Sequence, residues 1–192
     1  MRRCLELAQL GEYYVAPNPM VGAVLVDEDG RILAEGWHRL YGGPHAEVNC
    51  FLDAEAKGVT SEQIHDATLY VSLEPCSHYG KTPPCALLIQ QKHPKRLVCG
   101  MLDPNPKVSG RGLQMVREVG IEVTVGVCED ECRDLNKRFL MLQEHHRPYV
   151  IAKWAQTADG YLDRVRQSAA EEVLVISTPL TKQLVHQMRA EN

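Results

Sequence analysis

The sequence predicts an α/β protein whose layered sheet is led by an antiparallel hairpin, and two observations carry that prediction. From about residue 45 onward, helical stretches alternate with short, β-rich apolar runs, the pattern of helices packed on a layered sheet. Ahead of that alternation, two apolar runs flank Asp27-Glu28-Asp29-Gly30, a polar turn that folds the chain back on itself.

Taken in order, Cys4, Leu5, Leu7, Ala8 and Leu10 form the apolar stripe of a first helix that stops at Gly11. Pro17-Asn18-Pro19 forces an extended turn, because a proline crowds the residue before it out of the α region. Val21 to Val26 and Ile32 to His38 are the hairpin strands. Gly42-Gly43-Pro44 opens a helix from about His45 to Lys57, since proline's missing N–H costs nothing in a first turn. Thr68 to Leu73 is a third strand, Pro84-Cys85 opens a short helix to Lys92, and Arg96 to Gly100 is a fourth strand. A helix over Gly112–Val119 ends at Gly120, and Ile121 to Val127 is a fifth strand. Glu129 to His145 is expected as one long helix leaving this unit. After Arg147-Pro148 the pattern restarts with a strand, Tyr149 to Trp154, so one domain is expected over 1–145 and the start of another over 146–192.

Composition narrows the class. The 192 residues are 44% hydrophobic and 24% charged, enough to bury a core without disulfide staples. A net charge of −4 argues against a surface built to coat nucleic acid, which would be basic. Glu6 and Gln9 interrupt the apolar residues of MRRCLELAQL, so it reads as no secretory leader, and no window is apolar enough for a membrane span. Seven cysteines, an odd number, suggest no disulfide framework. A cytoplasmic protein with neither membrane nor nucleic-acid partner is expected. There, paired cysteines serve as metal ligands or core residues.

The stretch SLEPCSHYGKTPPC, from Ser72 to Cys85, carries the chemistry together with GGPHAEVNC upstream. A catalytic Zn²⁺ commonly takes three protein ligands from His and Cys and keeps a fourth position for water. His45, Cys76 and Cys85 supply that set. His45 and Cys85 both stand where helices are expected to begin, and helix N-termini favour thiolates. Along a helix body Glu47 would point away from His45. At the first turn side chains lean back toward the N-terminus, so both can converge in front of the helix. Glu47 then suits proton transfer between water and a leaving amine. Two plainer readings compete: unrelated core thiols with His45 as a helix cap, or a structural zinc. Closed structural sites usually have four Cys/His ligands and would leave Glu47 unexplained. The spacing H-x-E…P-C-x-x-C marks zinc nucleobase deaminases. His45-Ala46-Glu47 and Pro75-Cys76 match it, but the eight residues SHYGKTPP stand where that form has two.

PNPMVGAVLV, GWHRLYGGPHAE, SLEPCSHYGKTPPC and DPNPKVSGRGL, in that order, resemble the deaminase domain of the bifunctional riboflavin-biosynthesis deaminase/reductase family, over residues 1 to about 145. Its own cysteine motif carries this eight-residue spacer. The resemblance implies a cytidine-deaminase-like three-layer α/β/α sandwich around a mixed five-stranded sheet. It implies one catalytic Zn²⁺ on His45, Cys76 and Cys85, with Glu47 as proton shuttle. The implied reaction removes the 2-amino group of 2,5-diamino-6-(5-phosphoribosylamino)pyrimidin-4(3H)-one, and a homo-oligomer is expected.

The resemblance also inclines several polar residues toward substrate. Asn18 could read the pyrimidine edge or be an Asx-turn residue between prolines. His38 ends the second strand. Lys81 and Thr82, between the two cysteines, suit a ribose or phosphate, or a solvated loop. Asp103 and Asn105 follow the fourth strand, where α/β sheets place ligands, though DPNP is also a generic turn. Gly110-Arg111-Gly112 could cradle a phosphate. Cys128 and Cys132 share a helix face, but no third ligand in register supports a second metal.

Residues 147–192 resemble the opening of the family's reductase domain, in RPYVIAKWAQTADGYLD and LVHQMRAE. No G-x-G-x-x-G run of the kind that holds a dinucleotide diphosphate is present. NADPH is therefore expected only where a complete reductase domain is present. Two other functions remain open: a tRNA or free-nucleotide deaminase, and a non-catalytic zinc-stabilised binding module. The tRNA enzymes usually carry the short cysteine spacing and basic flanks, and the binding module has no use for Glu47.

Overall fold

A computed structural model describes residues 1–79, 83–105 and 109–190. The chain divides into two compact units, Met1–Tyr149 and Val150–Asn192.

The first unit is organised by five strands: β1 (Gly22–Val26), β2 (Ile32–Trp37), β3 (Thr68–Leu73), β4 (Arg96–Met101) and β5 (Glu122–Val125). Their order in the sheet is β2-β1-β3-β4-β5. β1 runs antiparallel to β2 and β3, while β3, β4 and β5 are mutually parallel. Gly22 stands opposite Trp37, Ala23 opposite Val71, and Leu73 opposite Met101. The start of β1 and the ends of β2, β3 and β4 therefore share one edge of the sheet. Every loop that leaves that edge is brought to the same place, so the register assembles the site.

Helices cover both faces, as a three-layer α/β/α arrangement requires. On one face lie α2 (Ala46–Ala56), α3 (Ser61–Asp66), α4 (Cys85–Lys92) and α5 (Arg111–Glu118). They bury Phe51, Ile89, Leu113 and Val116 against Leu25, Leu69, Val71 and Leu97. On the other lie α1 (Arg2–Gln9) and α6 (Glu129–Leu135), followed by α7 (Lys137–His145). There Cys4 and Leu7 pack with Val24, while Cys132 and Leu140 pack with Leu73 and Met101. β2 and α2 approach closely at Gly36. A Cβ there would lie 2.2 Å from the Cys50 amide nitrogen and 2.5 Å from the Ala46 carbonyl.

The structure departs from the sequence expectations in three places. α3 was not anticipated, although Thr60 and Gln63 form a reciprocal capping box at its start. The long helix expected over Glu129–His145 is two helices broken at Asn136, and it folds back onto the sheet unit instead of leaving it. Tyr149–Trp154 is not a strand. A strand is a pairing element, and the second unit offers that run no partner strand among the described residues. That unit contains α8 (Pro179–Ala190), which buries none of its side chains, and a turn in which the Thr157 amide donates to the Tyr161 carbonyl at 2.8 Å. No helix among the described residues is long and apolar enough to cross a membrane.

Gly36→Ala should therefore destabilise the first unit by about 3 kcal/mol, because backbone on both sides must shift to admit a methyl group. Urea unfolding measures this directly; an unchanged midpoint would contradict the close packing of β2 on α2.

Candidate metal centre and substrate cavity

His45 is the N-cap of α2, with extended backbone (φ −72°, ψ 168°) and no capping bond from its side chain, which leaves the imidazole free to face forward. Cys76 follows the end of β3, and Cys85 is the first residue of α4. The His45 Nδ1 lies 3.6 Å from the Cys76 sulfur and 3.3 Å from the Cys85 sulfur. All three donor atoms fall within 4.8 Å of one another. The start of α4 also holds Cys76 from behind: the Cys85 amide donates to its sulfur at 3.3 Å, and the Ala86 amide to its carbonyl at 3.1 Å.

These residues fit zinc. Ligand lengths of roughly 2.3 Å to sulfur and 2.0 Å to nitrogen, at a tetrahedral angle, place N and S about 3.5 Å apart. Both observed separations are close to that, and one imidazole with two thiols is a borderline-soft donor set that suits the ion. Three protein donors also leave a position open, the arrangement of catalytic rather than closed structural sites.

The electrostatics agree. The Cys76 thiol is pulled down, first by the hydrogen bond from Cys85 and then by that from His45. Cys85 is pushed up by its contact with Cys76 and by burial. His45 is raised by its bond to Cys76. Glu47 is buried in the first turn of α2. Burial, reinforced by the charge on Cys76, pushes its carboxyl up to about 7.

A cavity of about 410 Å³ opens in front of this group, lined by His45, Glu47 and Cys76 at its floor. Asn18 and His38 line one wall together, with the Asn18 amide nitrogen 3.1 Å from the His38 Nε2. The His38 Nδ1 lies 3.0 Å from the Pro44 carbonyl. A carbonyl can only accept, so Nδ1 carries the proton and Nε2 accepts from Asn18. Burial lowers the His38 pKa, and its ring meets that of His45 edge-on at 5.4 Å. Asp103 and Asn105 line another wall, with the Asn105 amide donating to the Asp103 carboxylate at 2.8 Å; burial raises the Asp103 pKa. Asn18, His38, Asp103 and Asn105 are thus gathered around the trio, and Lys81 and Thr82 lie outside the described residues.

Three features escaped the sequence reading. The buried Glu74 carboxylate accepts from the amides of Asp103 (3.2 Å), Gly110 (2.9 Å) and Gly112 (3.1 Å). The Gly-Arg-Gly amides are therefore turned inward onto a carboxylate, and two of them are not available to a phosphate. A buried acid immediately before Pro-Cys was the signal for this. His78, inside the cysteine spacer, also lines the cavity. The last wall comes from α7 through Phe139, Leu142 and Gln143. Asn136, a good helix-capping residue inside an apparently continuous helix, was the sign of the break that puts them there.

Two thiols and an imidazole close enough to share one ion, with a buried acid lining the adjoining cavity, are the parts of a hydrolytic metal site. The cytidine and deoxycytidylate deaminase zinc-binding region matches residues 1–101, more than half the chain, and the chain belongs to that family. Along its whole length it is 44% identical, over 191 residues, to riboflavin biosynthesis protein RibD of Aquifex aeolicus, covering 51% of that protein. Among solved structures it is similar to a diaminohydroxyphosphoribosylaminopyrimidine deaminase/5-amino-6-(5-phosphoribosylamino)uracil reductase of Thermotoga maritima, with TM-score 0.84 and 45% identity over 98% of this chain and 51% of that one. It is also similar to RibD of Acinetobacter baumannii, with TM-score 0.84 and 39% identity over 99% of this chain and 50% of that one. The chain spans about half the length of the relatives it matches.

Glu47 is predicted to burden the metal-free protein at alkaline pH. Unfolded, it ionises near 4.5; folded, it keeps its proton to about 7, so the folded state binds more protons in between and stability falls as pH rises through that window. At roughly 1.4 kcal/mol per unit, the loss reaches about 3 kcal/mol. In chelator-stripped protein, Glu47→Gln should stabilise at pH 8 by about that much more than at pH 4.5. A denaturant titration at the two pH values reads the difference, and an equal effect at both would refute burial as the cause.

Proposed function

We propose that this chain catalyses hydrolytic deamination of 2,5-diamino-6-(5-phosphoribosylamino)pyrimidin-4(3H)-one to 5-amino-6-(5-phosphoribosylamino)uracil, a step of riboflavin biosynthesis, using one zinc ion held by His45, Cys76 and Cys85. The observation that carries this reading is the buried Glu47 carboxyl beside the ligand trio, at the floor of a cavity edged by Asn18, His38, Asp103 and Asn105. Similarity to RibD proteins along the whole chain supports the choice of substrate.

Bound zinc would supply the Lewis acidity that makes water a nucleophile near neutral pH. Glu47 takes one proton from the attacking water and hands it to a ring nitrogen beside the amino-bearing carbon; it then takes the remaining proton of the added hydroxyl and passes it to the amino group, so that the C–N bond breaks, the carbonyl forms and ammonia leaves. Burial already holds the Glu47 carboxyl above the ordinary carboxylate range before any metal binds, the direction a group that both takes and gives a proton needs. Asn18, fixed by His38, presents its amide to the pyrimidine edge, and Asp103 and Asn105 accept or donate on the facing side. Lys81 and Thr82 serve the phosphoribosyl group, a role that rests on their place in the sequence between two metal ligands. Residues 146–192 are read as the start of a reductase domain, because similarity to RibD relatives continues through them.

Ammonia release from the diaminopyrimidine ribotide, measured beside zinc content, tests the proposal. One zinc per chain with steady ammonia release is the expected result, and one zinc without ammonia would overturn the substrate. Glu47→Gln should keep its zinc and lose turnover by about 10³-fold or more.

A further inference from the structure

The two walls of the cavity that lie apart from the metal ligands are joined at a single buried side chain. Asn136 is 3% exposed and stands at the junction between α6 and α7. Its Oδ1 accepts from the Met20 amide at 2.8 Å, and its Nδ2 donates to the Met20 carbonyl at 2.9 Å. One amide side chain thus satisfies both backbone groups of a residue far away in sequence, as a strand partner would. Met20 directly follows Pro17-Asn18-Pro19, which line the cavity, and precedes Val21, whose carbonyl accepts from the His38 amide at 2.9 Å. On its other side, the Asn136 carbonyl accepts from the Leu140 amide at 2.9 Å, starting the helix that presents Phe139 and Gln143 to the cavity.

We propose that Asn136 is a positioning residue that pins the α7 wall to the Asn18 turn, and that the Phe139–Gln143 face so placed is a substrate-recognition wall. The pin touches neither the metal ligands nor Glu47, so it governs how substrate is held and not the chemical step. Losing an interaction made equally in the ground and transition states raises KM and leaves kcat in place. The inference rests on the deaminase reading for its kinetic test only.

The experiment uses the full chain loaded with zinc. Asn136→Ala removes both bonds to Met20; Asn136→Asp keeps the acceptor, loses the donor, and covers the case in which the alanine variant does not fold. With the diaminopyrimidine ribotide, KM should rise about tenfold for Asn136→Ala, and less for Asn136→Asp, with kcat within about threefold of the parent and zinc content unchanged. Gln143→Ala should raise KM by itself but add little on top of Asn136→Ala, because a wall already out of place has no contact to lose. Additive effects, or a fall in kcat at unchanged KM, would overturn the proposal. Amide hydrogen exchange gives a readout independent of substrate: either Asn136 variant should expose α7 amides to faster exchange while α2 and α4 stay protected. Unchanged protection of α7 would overturn the pin. A parent protein that released no ammonia would instead sink the substrate assignment and leave the exchange test standing.

Discussion

The site depends on one buried carboxylate that is neither metal ligand nor acid–base group. Glu74 leaves the end of β3 and accepts three backbone amides, those of Asp103 and Gly110 between β4 and α5 and that of Gly112 in the first turn of α5. Hydrogen bonds to a charged acceptor contribute more than neutral ones, and a buried carboxylate without them would be costly. The consequence is geometric. Cys76, two residues along from Glu74, is tied to the wall that carries Asp103 and Asn105, so a member of the His-Cys-Cys group and a cavity wall cannot move independently. Gly112 is part of this joint: a Cβ there would lie 1.9 Å from the Pro75 carbonyl, so only glycine brings its amide this close.

Around that joint, the sheet supplies the rest by register. Because β1 runs against β2, β3 and β4, its start meets their ends at one edge of the sheet. Asn18 before β1, His38 after β2, Cys76 after β3 and Asp103 after β4 come together without any long connection. α2 brings His45 and Glu47 to the same edge because Gly36 lets it lie against β2 at backbone contact.

Local patterns made much of this legible in the sequence. Each strand of the sheet was placed within about two residues, since each is a compact apolar run bounded by turn residues. The convergence of His45, Cys76 and Cys85, with Glu47 lining the same cavity as two of them, was legible because metal chemistry constrains residue types and spacing directly. What remained hidden depends on contacts distant in sequence. Nothing near Asn136 says that its amide will meet Met20, and helical periodicity continues smoothly across the break. The run from Tyr149 to Trp154 failed in the opposite way: it has the residues of a strand and no partner to pair with. Glu74 lay in plain view, but a carboxylate's role depends on which amides reach it.

One imidazole gives the cavity a fixed polarity. The Pro44 carbonyl, in the loop that leads to His45, obliges His38 to donate through Nδ1, which leaves Nε2 able only to accept. Asn18 must then turn its amide nitrogen toward the ring, and its oxygen is the atom left over. A short relay thus converts the direction of one peptide bond into the sign of the hydrogen-bonding group that Asn18 has left over. The same backbone segment that delivers His45 also determines whether the wall formed by Asn18 and His38 offers a donor or an acceptor.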